Sequence, residues 1–466
     1  MKLLASVLNL IYKVGDNYGM NASICHSVKV MNIAFVSLFA SMVAANAAPI
    51  QVKIDGNDYF ALRSAEDVVW FRDYVNAGDA QANAILMKSV DLSAQCQGGW
   101  VAIAKKGSYS ENTTWNGTFD GNGNVISGIN INTKEDNVGF FGFIGGTVKN
   151  LTLEGNIKCQ YGYVAAVAAY SRGLIQNCIN KVNIQCASAE KTGGLGGIVS
   201  RSAGKENGCI NKGELSLPTD LLIAPKDHIV GGIVAVKTEG DITNCINYGT
   251  ITSVSAEIGG IVGFCQSRAT TVASCLSAGI INIDKTWQEH IGALTSSIGE
   301  TPNCSNNYYL PLTQYAKSDK CTLVTKREIK TGKVTYLLQG ESADYVWGQQ
   351  MGKDFEPVFT SDEKKHLFKV DYHLTWNDTN IERFVNKGAR VRLPIATDVF
   401  DNLDGSTWYD LSFEYGSRTF DINTLASKDM SIDVTCKKVE LGGNTSYGVP
   451  AIVLPPISKE ENVAKK

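Results

Sequence analysis

The sequence is poor in the features that usually announce a chemistry. Histidine occurs 5 times and proline 10 times in 466 residues. No H-E-x-x-H, G-x-S-x-G or P-loop pattern is present, which removes the common signatures of zinc peptidases, α/β-hydrolases and nucleotide-binding folds. No C-x-x-C occurs and no nearby histidine completes a tetrahedral set, so zinc is poorly supported, and nothing in the pattern calls for a cofactor. The formal net charge is only -3 and no block of five like charges appears, which argues against nucleic acid or an anionic membrane as partner. Apolar residues do not recur at i, i+3, i+4 and i+7 through the middle of the chain, so paired-helix repeats are excluded there. Past residue 47 no apolar run is long enough to span a bilayer, so no transmembrane segment is expected in the mature chain.

What the chain does have is 45 glycines and a repeat. Gly231-Gly232-Ile233-Val234 recurs as Gly259-Gly260-Ile261-Val262 and, earlier, as Gly196-Gly197-Ile198-Val199. Asn244-Cys245-Ile246-Asn247 recurs as Asn177-Cys178-Ile179-Asn180, and more loosely around Cys209, Cys275 and Cys304. These five cysteines step by roughly 30 residues, the interval of a stacked-repeat architecture. The segments between glycines are short and rich in Ile, Val and Thr, as strands are. Three strands per unit are expected, for example Ile258–Phe264, Thr271–Leu276 and Gly279–Ile283. Stacked in register, such units form a parallel β-helix, in which each coil buries an interior it could not bury alone. The fold class is therefore mainly β.

In that picture Cys178, Cys209, Cys245, Cys275 and Cys304 form one ladder, and Asn180, Asn211, Asn247 and Asn306 lie above one another, where amides can bond along the stack. Cys159 and Cys186 form a second stacked pair. Ile242 and Cys245 have opposite strand parity, so either the chain bends between them or one faces out. The cysteines read as buried, reduced small hydrophobes, with one or two bridges as the alternative.

The Gly-Gly-Ile-Val and Asn-Cys-x-x-x-Gly units resemble the GLUG-motif repeats of secreted and surface-attached bacterial proteins, over roughly Val138 to Leu310. The resemblance implies a right-handed parallel β-helix solenoid on an exported protein, and carries no catalytic residue with it. The run Arg63 to Gly146, with its Gly-Thr-Phe-Asp-Gly-Asn-Gly and Gly-Phe-Phe-Gly, is similar to the lead-in of such coils. Gly-Lys-Val-Thr-Tyr-Leu-Leu-Gln-Gly and Val-Trp-Gly-Gln resemble the segment that succeeds them. Further on, Asn386 to Pro394, Phe420-Asp421 and Lys428-Asp429-Met430 resemble a degenerate Listeria–Bacteroides (internalin B-type) repeat, which implies a small β-grasp-like module. Asp410-Leu411-Ser412-Phe413 stands where that repeat has Gly-Trp-Tyr, and its closing Trp is missing.

The expected organisation starts with a leader, 1–47, in which Lys29, the apolar run Val30–Val43 and Ala45-Asn46-Ala47 read as a signal peptide cleaved after Ala47. Met20 or Met31 is the expected initiator. An N-terminal helical cap comes next over 48–83, a hairpin at Asp55-Gly56-Asn57 and a helix opened by Ser64. The β-helix covers 84–310, a C-terminal cap segment 311–365, a small β-rich domain 366–455, and a charged tail 456–466.

Two functions from different classes remain. One is a secreted or cell-surface non-catalytic protein whose β-helix surface serves adhesion or glycan binding, with an extracellular glycan or surface protein as partner. Tyr161, Tyr163 and Tyr170 are its candidate sugar-stacking residues. The other is a secreted polysaccharide lyase or hydrolase, which needs carboxylates converging on one groove. The acids of the repeats are scattered, Asp227-His228 and Glu289-His290 being the adjacent acid–base pairs. Asp120, Asn122 and Asn124 imitate the start of a calcium loop, but Val125 and Ile131 stand where its Gly and Glu belong, so a turn is expected. The non-catalytic reading is preferred, with no catalytic, cofactor or metal residues assigned.

Overall fold

The computed structural model describes residues 48–105, 114–160, 162–187, 193–217, 228–253, 257–283, 291–296, 299–311, 320–340, 346–400 and 407–440. The expected leader and charged tail lie outside these residues. The chain is mainly β and divides into two compact units between His366 and Leu367. No helix among the described residues is long and apolar enough to cross a membrane.

The first unit is a stack of coils, a β-helix-like arrangement built from sheets of six, five, ten and twelve strands, parallel except where Gln51–Ile54 pairs antiparallel with Asn57–Leu62. One coil runs through His228–Gly231, Val234–Lys237, Ile242–Thr243, Ile246–Asn247 and Ile251–Ser253. The expected three strands are thus too few. Ile258–Phe264 is two strands, Glu257–Gly259 and Val262–Cys265, and Thr271–Leu276 divides into Thr271–Ala273 and Leu276–Ser277.

Each break has a backbone cause. At the Gly-Gly corner the chain folds back so tightly that a Cβ on Gly196, Gly231 or Gly259 would strike the carbonyl of Val199, Val234 or Val262. The second glycine makes room for something else: a Cβ on Gly197 or Gly232 would meet the side chain of Asn211 or Asn247. The two halves of the repeat motif therefore touch across each coil. At the second break Asn150, Asn177, Asn244, Ser274 and Asn306 adopt left-handed backbone, with φ between 52° and 55°. Asn takes this conformation more readily than most residues. The bend at Asn244 also resolves the parity conflict, since Ile242 and Cys245 are both fully buried.

The interior is filled by rows that run from coil to coil. One reads Phe60, Ala84, Phe119, Val148, Ile175, Glu206, Ile242, Val272, Cys304. At the first coils, the hairpin Gln51–Ile54 and Asn57–Leu62 turns through Asp55 and Gly56, both with positive φ. The helix Ala65–Ala77 comes after it, with the Ser64 hydroxyl accepting a hydrogen bond from the Asp67 N–H. Its buried face is Val68, Phe71 and Val75, and the Phe71 ring lies 5.8 Å from that of Phe119.

Further along, the row Ile179, Ile210, Ile246, Leu276, Tyr308 faces outward from the twelve-stranded sheet. It packs against Val324, Ile329, Val334, Leu338 and Trp347 from the segment 320–348, whose two short helices are Lys326–Lys330 and Lys333–Gln339. An apolar stripe of that length needs covering. The two short helices thus lie along the flank of the coils, while Thr322–Leu323 of the same segment pairs with Tyr308–Tyr309.

The second unit holds a five-stranded sheet. Its spatial order is Thr379–Asn386, Leu367–Leu374, Met430–Glu440, Thr407–Tyr415, Arg418–Thr419, the second, first, fifth, third and fourth strands of the unit. The two central neighbours, Leu367–Leu374 and Met430–Glu440, are parallel and the other pairs antiparallel. Val370, Tyr372, Ile432 and Val434 are fully buried beneath it.

Candidate functional site

The aromatic candidates sit beside the corner Ala165-Ala166, which stands in register with Gly196-Gly197, on the strands Tyr163–Ala165 and Ala168–Ser171. Tyr161 lies outside the described residues. Tyr163 and Tyr170 are half-buried, with ring centroids 5.1 Å apart and planes inclined by 55°. Tyr170 stacks on Phe143 of the preceding coil at 4.9 Å, nearly parallel. The Arg201 guanidinium lies 5.9 Å from the Tyr163 ring and donates to its hydroxyl at 3.4 Å. The result is an aromatic edge with a cation beside it, a combination that suits stacking against a sugar ring.

The acids do not form a comparable cluster. Asp227, Glu289 and His290 lie outside the described residues, as do Glu190 and Asp284. His228 is buried at the start of its strand. Among the described residues no group of three His, Cys, Asp or Glu side chains could hold a metal ion. Asp120 accepts from the Asn122 N–H at 2.8 Å and from the Asn150 amide at 3.0 Å, and its other oxygen lies 3.2 Å from Lys149. That is a turn with its charge compensated. In the second unit His373 bridges Asp378 and Asp433 at 2.9 and 3.0 Å, and hydrogen bonding to Asp378 and then Asp433 raises its pKa.

Glu206 is the exception among the scattered acids of the repeats. It stands in the interior row between Ile175 and Ile242 with no exposed side-chain area. Lys237, equally buried, reaches down one coil and sets its ammonium 2.5 Å from one carboxylate oxygen. Ser202 donates to the other at 2.6 Å, and Lys237 also donates to the Gly204 carbonyl at 2.7 Å. A fully buried pair needs every lone pair and proton occupied. This one is sealed from solvent, so it serves the fold rather than a substrate.

The structural ladder differs from expectation at its end. Cys178, Cys209, Cys245 and Cys275 occupy one row, each thiol donating to a carbonyl of the coil before it, those of Val148, Ile175, Glu206 and Ile242 respectively. Cys304 does not join them. It pairs with Val272 in the neighbouring row, and Asn307 takes the place of the fifth cysteine, accepting from the Cys275 N–H at 3.0 Å. The last coil carries its Cys-Ser-Asn three residues out of step with the earlier motif, so matching letters is not matching register. Burial pushes the thiols of Cys178 and Cys245 up, which keeps them protonated. The cysteines of the described residues form no disulfide, and Cys159 and Cys186 pair in register with sulfurs 2.6 Å apart.

The asparagine stack is corrected in the same way. The Asn180 amide donates to Asn211 at 2.7 Å, and the Asn211 amide to Asn247 at 2.9 Å. Their carbonyl oxygens accept from the backbone N–H groups of Val182, Gly213 and Gly249. Asn306 belongs to the left-handed corner row instead, where its amide donates to Ser274 and to the Leu337 carbonyl.

No family model and no curated protein sequence matches this chain. Among solved structures it is similar to a Bacteroides ovatus protein provisionally named an immunoglobulin A1 protease. The TM-score is 0.50, with 16% identity over 66% of this chain and 93% of that one. A second structure, named IgA1 protease, aligns with a TM-score of 0.37 and 13% identity, over 60% of this chain and 23% of its own. At such identity the first likeness speaks to the fold alone: a mainly β chain with long parallel sheets.

Proposed function

We propose that this chain is an exported, non-catalytic protein of the GLUG-repeat kind, which presents its coil surface for adhesion or glycan binding outside the cell. In this reading the coils wind right-handed and the helix Ala65–Ala77 caps the first of them. The second unit, whose sheet order is that of a β-grasp, acts as an accessory module of the internalin B type. The observation that carries the proposal is the aromatic edge of Tyr163 and Tyr170 with Arg201 beside it, on a surface where the described acids do not converge. A fold by itself supplies no function.

The second reading, a secreted hydrolase or lyase, draws on the name carried by the Bacteroides ovatus structure and on the pairs Asp227-His228 and Glu289-His290. One experiment separates the two. The purified protein is screened on a glycan array, and incubated with mixed polysaccharides and with IgA1 while new reducing ends, unsaturated products and cleaved heavy chain are followed. Binding without turnover, weakened roughly tenfold in Tyr163→Ala or Tyr170→Ala, is the expected result, since stacking against one ring contributes about 1 kcal/mol or more. Turnover that disappears in Asp227→Asn or Glu289→Gln would replace the proposal with the enzymatic reading.

A further inference from the structure

A second site lies on the far side of the left-handed corner, and nothing in the sequence pattern points to it. A cleft of about 420 Å³ is lined on the coil side by Asn150, Thr152, Gln176, Asn177 and Asn207, with Gly123 and the apolar Ile179. Val346, Phe359, Thr360 and Ser361 form its opposite wall. That wall is anchored. Trp347 is fully buried against the outward row of Ile210 and Ile246, its ring 4.3 Å from that of Phe359, and Glu356 pairs with Lys212 at 3.1 Å.

Among the described residues the lining carries amides and hydroxyls beside the apolar Ile179, Val346 and Phe359, and no charged side chain. Its polar groups are freed by a break in a ladder. Along the corner row the Asn150 amide donates to Asp120, and the Asn177 amide donates to Asn150 at 3.3 Å. The next member of the row is Gly208, φ 70°, which has no amide to donate to the Asn177 carbonyl oxygen. The ladder resumes only through Asn207, whose carbonyl oxygen accepts from Asn244 at 2.9 Å and Thr243 at 3.1 Å. Among the described residues the Asn177 oxygen, the Asn207 N–H₂ and the Gln176 amide, all on residues that line the cleft, take no protein hydrogen-bond partner. Gln176 and Asn207 stand side by side on paired strands.

We propose that this cleft binds a neutral, hydroxyl-rich oligosaccharide. Paired donors and acceptors one strand spacing apart match vicinal hydroxyls, each of which both gives and takes a hydrogen bond. The Phe359 edge offers one apolar face, and the size falls within the range of small-ligand sites. Among the described residues no cation lines the cleft, which selects against uronic acids, sulfated sugars and phosphates. The inference rests on the glycan-binding reading above and adds to it a location and a ligand class.

The test is isothermal titration of the full chain with maltohexaose, cellohexaose, laminarihexaose, tetragalacturonate and an extended Gly-Ser hexapeptide. A neutral hexasaccharide is expected to bind, and tetragalacturonate is not. Gln176→Ala removes an amide that holds nothing in the fold. Asn207→Asp keeps the acceptor used by Asn244 and Thr243 while removing the N–H₂. Each is expected to weaken binding roughly tenfold, the loss of one or two hydrogen bonds. Gly208→Asn puts a side chain into the gap; Asn accepts left-handed backbone, but its Cβ would strike the Asn177 side-chain oxygen, so that amide must turn aside and binding should be abolished. Tyr163→Ala should leave this site intact. Neutral-sugar binding that responds to Tyr163→Ala and not to the cleft variants would overturn the cleft while sparing the general reading. Binding of the hexapeptide alone, lost in the same variants, would overturn the ligand class. No binding of any probe would overturn both.

Discussion

Replacing Lys237 by alanine is expected to destabilise the coils around it by about 3–5 kcal/mol, the cost of leaving a buried carboxylate without its counter-charge. Glu206 would remain in a row otherwise filled by Ile175, Ile242 and Val272, with only the Ser202 hydroxyl as partner. Glu206→Ala should cost a similar amount, because Lys237 would keep only the Gly204 carbonyl and Ser202. The double variant Glu206→Ile with Lys237→Met is the informative one. It extends the aliphatic row and is expected to lie within about 2 kcal/mol of the wild type, since an apolar replacement of a buried pair is often neutral or better. Urea midpoints followed by circular dichroism measure all three. If the single variants unfold at the wild-type midpoint, the pair is not buried as described.

The second large effect is expected at the corner glycines. Gly231→Ala should lower stability by about 3 kcal/mol or more, because the added Cβ strikes the Val234 carbonyl and lies 2.7 Å from the Gly263 nitrogen. Neither atom belongs to a flexible side chain, so only opening the fold-back relieves the clash. The same substitution at Gly98, where nothing stands within 4 Å, serves as control and should be neutral or slightly stabilising through the unfolded chain. Thermal midpoints decide it. Equal shifts at both positions would mean that the Gly-Gly motif is tolerated for reasons other than backbone approach.

These two sites also mark what could and could not be read from the residues. The repeat, its strand character, the Ser64 helix start and the Asp55-Gly56 turn are local properties, written in composition and spacing, and they were legible. Paired glycines permit a corner, yet the fold-back at Gly259–Val262 stayed hidden inside the expected strand Ile258–Phe264, because a continuous apolar run looks the same whether it stays straight or reverses. Register between coils is harder still. Coil length varies, so Cys304 and Asn306 match the motif by letters yet stand in other rows than Cys275 and Asn247. Glu206 and Lys237 belong to different motifs in different coils, and only the stack reveals that they meet. The amide cleft needs a wall from 346–361, far along the chain from Gln176 and Asn207, so no local pattern could have announced it. The tyrosines are conspicuous as aromatic residues in a repeat, but the stacking of Tyr170 on Phe143 and the approach of Arg201 to Tyr163 are visible only in the stack.

All of this depends on units about 30 residues apart lying directly over one another. The most direct measurement is the distance between spin labels on two exposed positions of one outward row, Lys158→Cys and Asn282→Cys, with Cys304, Cys321 and Cys436 changed to serine. Lys158 and Asn282 are linked through Gln185, Ser216 and Thr252, four strand steps. At about 4.8 Å per step the account predicts a narrow distribution near 19 Å, broadened only by the label linkers. A broad distribution, or a separation beyond roughly 40 Å, where an unstacked chain would place two sites so distant in sequence, would contradict it.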